Sequence, residues 1–165
     1  MTRLHGLAPV FDAHTHVLVL GSFPGVASLR AQQYYGHPRN HFWKILGALW
    51  SQDLMAASYP ERIAAALSHG LGVWDVYAAC EREGSLDTAI RAAEFNDLAG
   101  LRQRCPSLRA IAHNGGESFR HAKHTLALGL PVYRLPSTSP ANASWSFERK
   151  YAAWAEVLVP VTVPW

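Results

Sequence analysis

A chain of 165 residues with 49% hydrophobic and 16% charged side chains can bury a sizeable core, which excludes a disordered protein and suits one compact domain over residues 1–165. No apolar run approaches the roughly 18 residues of a membrane span, and the opening MTRLHGLAPV lacks the apolar centre of a signal peptide, so neither a membrane partner nor export is expected. Two cysteines, Cys80 and Cys105, are too few for a disulfide framework or an all-cysteine metal site, and a net charge of +3 permits a nucleic-acid partner without demanding one. A cytoplasmic monomer is the expected setting.

In chain order, the first apolar run is His16–Ser22, followed by helical stretches at Asn40–Trp50 and Pro60–His69. A second run, Leu71–Tyr77, leads into the polar stretch Cys80–Glu94, read as a long surface excursion. Asn96–Arg104 reads as helix, Leu108–Asn114 as a third strand and Glu117–Leu128 as the next helix. Pro131–Ser137 is the fourth strand, and Ser146–Leu158 closes the chain as a helix. The apolar runs are continuous rather than alternating, as buried parallel strands are. This rhythm predicts an α/β fold, a three-layer α/β/α sandwich around a central four-stranded parallel sheet.

In such sheets ligands bind outside the carboxyl ends of the strands. There the sequence places GSFPG (Gly21–Gly25), YYGHPRN (Tyr34–Asn40), the region of Asp75 and Tyr77, HNGGES (His113–Ser118) and LPSTSPANA (Leu135–Ala143). The glycines of GSFPG allow close backbone approach, and the hydroxyls and N–H groups of the Ser/Thr/Pro loop suit a phosphate. Taken singly, each is also an ordinary turn or loop. A different motif, FDAHTH (Phe11–His16), looks like a metal-binding His-x-His, but His14 and His16 precede their strand and so sit at the wrong end of the sheet. They read as surface histidines leading into the strand. No metal and no cofactor are expected.

Taken together, these segments resemble the uracil-DNA glycosylase superfamily. Gly21–Gly25 matches its first motif, and Ser137–Ala141 matches its second. HPRNHFWKI (His37–Ile45) resembles the corresponding region of the mismatch-specific uracil glycosylases, and the fuller set of YYGHPRNHFW (Tyr34–Trp43), GVWDVYAACEREGSLD (Gly72–Asp87) and HNGG (His113–Gly116) is closest to the superfamily's sixth family, the hypoxanthine-DNA glycosylases. The resemblance implies a monofunctional enzyme that flips a deaminated base out of damaged DNA and hydrolyses its N-glycosidic bond. It makes Asn40 the catalytic, water-positioning residue, since Ser22 and Phe23 occupy the places where uracil-removing relatives carry a polar water-holder. Gly21, Ser22, Phe23, Tyr34, Tyr35 and Asn114 become the base-binding set. Ser137, Ser139, Pro140, Ala141 and Asn142 become the DNA-binding set.

Each assignment has an alternative in plain structure. Asn is a strong helix cap, and NHFWKILGALW begins a helix. Phe23, Tyr34 and Tyr35 either stack on a base or pack beneath their turns. Asp75 is either a buried cap or a second water-orienting group, with structure preferred. His37 and His41 flank the turn as partners for loop carbonyls, Trp43, Trp74 and Trp154 read as core, and a purine contact near His113 is left open. Two rival functions remain: a uracil or mismatch-specific glycosylase, and a catalytically silent module that binds nucleic acid.

Overall fold

The computed structural model describes residues 2–162. The chain runs β1 (Arg3–His5), β2 (Val17–Gly21), α1 (Val26–Ala31), α2 (Phe42–Trp50), α3 (Tyr59–Ser68), β3 (Leu71–Asp75), β4 (Tyr77–Glu81), β5 (Arg91–Phe95), α4 (Leu101–Arg104), β6 (Ala110–Asn114), α5 (Gly116–Phe119), α6 (Ala122–Leu126), β7 (Val132–Leu135) and α7 (Phe147–Leu158), with a 3-10 turn at Asp87–Ala89. One sheet has the order β3-β2-β6-β7 with every pair parallel. Successive side chains point to opposite faces, so a strand covered on both sides must be apolar throughout. Val17 and Val19 of β2 enter a core with Phe42, Ile45, Leu46, Ala66, Trp154 and Leu158. Leu18 and Leu20 enter a second core with Leu98, Leu101, Cys105 and Leu128. Helices α2, α3 and α7 therefore cover one face, giving the three layers that the continuous apolar runs predict.

Four expectations need correction. The second strand ends at Asp75, and the supposed surface excursion begins and ends in strands of a second sheet, antiparallel, in the order β1-β4-β5. Tyr77, Ala79 and Cys80 of β4 are buried, whereas β5 is mostly exposed and its register with β4 is irregular. An exposed edge strand reads as a polar loop. The helix expected at Asn96–Arg104 forms only at Leu101–Arg104. Asn96 Nδ2 donates to the Asp75 carbonyl at 2.8 Å and the Gly100 N–H donates to Asp97 Oδ1, side-chain bonds that compete with a helix. The helix expected at Glu117–Leu128 is split into α5 and α6.

His113 accounts for how those two pieces are held. It is fully buried on β6. Ser118 Oγ donates to the Leu20 carbonyl at 2.8 Å, so it accepts from His113 Nδ1–H, also at 2.8 Å. Thr125 Oγ1 lies 2.8 Å from Nε2 and 3.0 Å from the Ala122 carbonyl, so its single proton serves one or the other. Burial pushes this ring down to about 4 from an ordinary 6.5, so it is neutral at physiological pH. Between those values the unfolded chain binds the extra proton. The contribution of His113 to stability is therefore complete above pH 6.5 and lost as the pH falls towards 4. His113→Asn is expected to lower thermal stability at pH 7.5 and to flatten the acid limb of the stability profile by on the order of 2–3 kcal/mol. Equilibrium unfolding across that range checks it; an unchanged acid limb would assign the loss to other groups.

Candidate active site

The carboxyl ends of the four parallel strands open into a cleft of about 840 Å³. Register sets what meets there: Gly21 lies opposite Asp75, and Asn114 lies opposite Leu135. Gly21 must lack a side chain, because a Cβ would sit 2.5 Å from Asp75 Oδ1 and 3.1 Å from the Tyr35 hydroxyl. The turn that follows is fastened from outside its own strand. Ser22 Oγ donates to Asp87 Oδ1 at 2.6 Å, and the Val26 N–H donates to Ser85 Oγ at 2.9 Å. The buried Arg82 guanidinium donates to the Pro24 and Gly84 carbonyls, both at 2.7 Å, and lies over the Phe23 ring. Phe23 lines the cleft with only 7% of its surface exposed. Residues Ser85–Thr88 thus form a wall of the site.

The segment before α2 forms another wall. Tyr34 lines the cleft, yet its ring belongs to the core and its hydroxyl faces the Leu7 and Ala8 carbonyls at 3.1 and 2.8 Å. Tyr35 adopts a left-handed backbone (φ 55°), which costs a non-glycine residue about 1 kcal/mol or more. Its ring stacks on Phe42 at 4.1 Å, and its hydroxyl accepts from Asn114 Nδ2 at 3.1 Å. Asn40 lines the same cleft and is half-buried. Its Oδ1 accepts from the Phe42 N–H at 3.0 Å, which fixes the carboxamide and caps α2 from one residue before the N-cap, His41. A carbonyl oxygen has two lone pairs, so one remains for a second donor. The capping and water-holding readings of Asn40 are therefore compatible. His37 also lines the cleft, and its Nδ1 accepts from the Arg39 N–H at 3.1 Å.

Asn114 is the tie between the strand ends and the Ser/Thr/Pro loop. Its Nδ2 donates to Tyr35 Oη and to Thr138 Oγ1 at 3.1 and 3.0 Å, and its Oδ1 accepts from the Thr138 N–H at 3.1 Å. Both amide protons are thus engaged within the protein. Gly115 turns the chain at φ 94°, where a Cβ would lie 3.1 Å from the Ser137 Cβ. The loop is stiffened internally: Ser137 Oγ accepts from the Ser139 N–H, Ser139 Oγ accepts from the Ala141 N–H, and Asn142 Nδ2 donates to the Ser137 carbonyl. The His41 N–H donates to the Thr138 carbonyl at 3.0 Å, joining this loop to the start of α2. Lys150, 1% exposed, sits behind the loop with Nζ 3.4 Å from the Ser139 carbonyl and 3.3 Å from His41 Nδ1. Ser137, Ser139, Pro140, Ala141 and Asn142 all line the cleft.

Two carboxyl groups lie at the floor. Asp75 is 5% exposed. Burial, reinforced by Asp87 and opposed by Arg82, pushes its carboxyl up to about 7. Burial also raises Asp87, although the hydroxyl of Ser22 counteracts this. The structure brings all the proposed base-binding and DNA-binding residues to one cleft with Asn40. His14 is exposed and His16 half-buried at the opposite end of β2. Among the described residues no group of three or more His, Cys, Asp or Glu side chains could hold a metal ion. Sequence reasoning missed Thr138, Arg82 and Asp87. A buried threonine inside a polar loop gives no signal, and Arg82 and Asp87 sit in a charged stretch that reads as solvated.

A Gly-x-x-Pro-Gly turn and a Ser/Thr/Pro loop at the crest of a four-stranded parallel sheet define the nucleobase-excising enzymes of one superfamily. The family model of the uracil DNA glycosylase superfamily matches residues 8–158, and the chain belongs to that superfamily; by family it is a DNA N-glycosylase. Two curated relatives carry the name hypoxanthine DNA glycosylase. The Methanosarcina barkeri protein is 39% identical over 93% of this chain and 97% of its own length. The Methanosarcina acetivorans protein is 37% identical over 92% of this chain and 96% of its own. A solution NMR structure of a candidate uracil DNA glycosylase from Methanosarcina acetivorans superposes with a TM-score of 0.88 at 35% identity, covering 97% of this chain and 99% of that one. Among the described residues no helix is long and apolar enough to cross a membrane.

Proposed function

We propose that this protein is a monofunctional glycosylase that removes hypoxanthine from damaged DNA in base-excision repair, acting as a cytoplasmic monomer. The observation that carries the reading is the placement of Asn40, Phe23 and the Ser137–Asn142 loop around one cleft at the strand ends. C1′ of a stacked nucleotide is out of reach, so the nucleotide must be flipped, at a cost of a few kcal/mol. The Ser137 and Ser139 hydroxyls, which act as acceptors within the loop, donate their protons to the flanking backbone. The Phe23 ring, immobilised beneath Arg82, offers an apolar face to the base, where stacking is worth ~1–3 kcal/mol. The Asn40 carboxamide holds a water against C1′. Asparagine is a weak base, so bond cleavage runs ahead of attack and the amide contributes by positioning. No lysine is among the residues lining the cleft, which favours direct hydrolysis over a Schiff base with strand scission.

Hypoxanthine is preferred over uracil because motif I offers an apolar ring where a polar water-holder would serve uracil, and a purine gives that ring more stacking area. The names of the two Methanosarcina relatives agree with this preference. Single-turnover release should be measured on otherwise identical duplexes carrying hypoxanthine, uracil or adenine at one position. Hypoxanthine is expected to be released fastest, uracil slower, and adenine not at all, because its amino donor replaces the carbonyl acceptor at the 6-position and leaves buried polar groups unpaired. Faster release of uracil would overturn the substrate assignment, and no release of either would overturn the enzymatic reading.

A further inference from the structure

Asp75 ends β3 on the cleft floor, paired in register with Gly21 of motif I. Its Oδ1 packs against the Gly21 backbone, while Oδ2 is buried and has no hydrogen-bond partner among the described residues. A structural cap would have its oxygens occupied, since burying an unpaired polar group costs free energy. Among the described residues no ion pair offsets it: the Arg82 guanidinium, whose charge opposes the effect of burial, gives its Nε and one terminal nitrogen to the Gly84 and Pro24 carbonyls, and its other terminal nitrogen is likewise buried without a hydrogen-bond partner. Asp87, from the turn beyond β4, adds a second negative charge that favours the protonated form, and the Tyr34 and Tyr35 phenols, from the loop before α2, are near enough for a charge on Asp75 to raise them. Burial beside a second carboxyl keeps such a group protonated near neutral pH, and a protonated carboxyl is a proton donor.

We propose that Asp75 is the general acid of base release, its carboxyl proton passing to N7 of the departing purine from the cleft floor beside motif I. The inference rests on the hypoxanthine-glycosylase reading. A purine that leaves through N9 without a proton departs as a poorly stabilised anion. In the proposed step the C1′–N9 bond breaks and its electron pair stays on N9. The O–H bond of Asp75 breaks as N7–H forms, so hypoxanthine leaves neutral. The oxocarbenium sugar faces the new Asp75 carboxylate until the water held by Asn40 adds to C1′. The proton lost by that water returns to Asp75, directly or by way of solvent, which closes the cycle. General acids of this kind contribute about a hundredfold to ten-thousandfold.

The test is single-turnover release of hypoxanthine from duplex DNA between pH 5.5 and 9, for the wild type, Asp75→Asn and Asn40→Ala. The wild type is expected to lose activity as the pH rises through about 7, where the carboxyl ionises. Asp75→Asn is expected to be at least about a hundredfold slower at pH 6.5 and flat with pH, while Asn40→Ala is slow but keeps the same alkaline fall. Folding of Asp75→Asn is followed by thermal unfolding, and it should be more stable than the wild type above pH 7, where the native carboxyl is a buried charge. A measurement on the unaltered enzyme stands independently: a duplex carrying 7-deazahypoxanthine, which has no N7 acceptor, should bind but release no base. Release of 7-deazahypoxanthine at the hypoxanthine rate would overturn the proposal. So would an Asp75→Asn enzyme with the wild-type rate and pH profile. Both results leave the glycosylase reading standing, whereas a wild type that releases no hypoxanthine removes that reading itself.

Discussion

Asn40→Ala is expected to slow single-turnover base release by about a hundredfold or more while leaving DNA affinity nearly unchanged. The carboxamide is assigned to the transition state, where it holds the attacking water, and not to ground-state binding of the duplex. The same substitution removes the oxygen that accepts the Phe42 N–H. Some loss of stability, about 1 kcal/mol, therefore accompanies it. Asn40→Ser separates the two effects. Its hydroxyl can cap α2 but is too short to reach the sugar. Stability should return and the rate should not. Recovery of both in Asn40→Ser would reduce Asn40 to a helix cap.

Asn114→Ala is expected to cost about 2–4 kcal/mol of stability, and to weaken both DNA binding and base release. Removing the amide strands the Thr138 N–H, 1% exposed, together with the hydroxyls of Thr138 and Tyr35. It also unties the loop assigned to the DNA backbone from the end of β6. Tyr35 loses one of the contacts that hold its left-handed backbone in place. Because both amide protons already serve the protein, the ratio of hypoxanthine to uracil release should stay within a few-fold of the wild type. A collapse of that ratio with intact stability would make Asn114 a reader of the base instead.

The main sheet was legible because its strands are buried on both faces, and runs such as VLVLG admit few other readings. The second sheet was not, because β5 exposes Arg91, Ala92, Glu94 and Phe95 and leans on β4 through an irregular register. Helix α1 was missed because it buries only Ser28, leaving no apolar face to detect. At the site, the turn, the Asn40 segment and the Ser/Thr/Pro loop stood out through glycine, proline and asparagine at strand ends. The environment of Asp75 did not. A carboxyl becomes chemically unusual through what surrounds it, and Asp87 and Arg82 reach it from a segment that folds back across the strand ends. Neither composition nor spacing carries that information.

Arg82, Ser85 and Asp87 fasten motif I from one side of the cleft, the side that also carries Asp75. From Gly72 to Thr88, it lines the cleft with Asp75 and Ser85–Thr88, the residues that on the proposed reading meet the base. On the opposite side α2 and the Ser137–Asn142 loop are joined through His41 and Thr138, which ties the segment assigned to the attacking water to the loop assigned to the DNA backbone. Insertions or exchanges on the first side can refashion which lesion fits while the opposite side keeps its alignment. A scaffold so divided can change its clientele while the elements that hold the water and the DNA backbone stay in place.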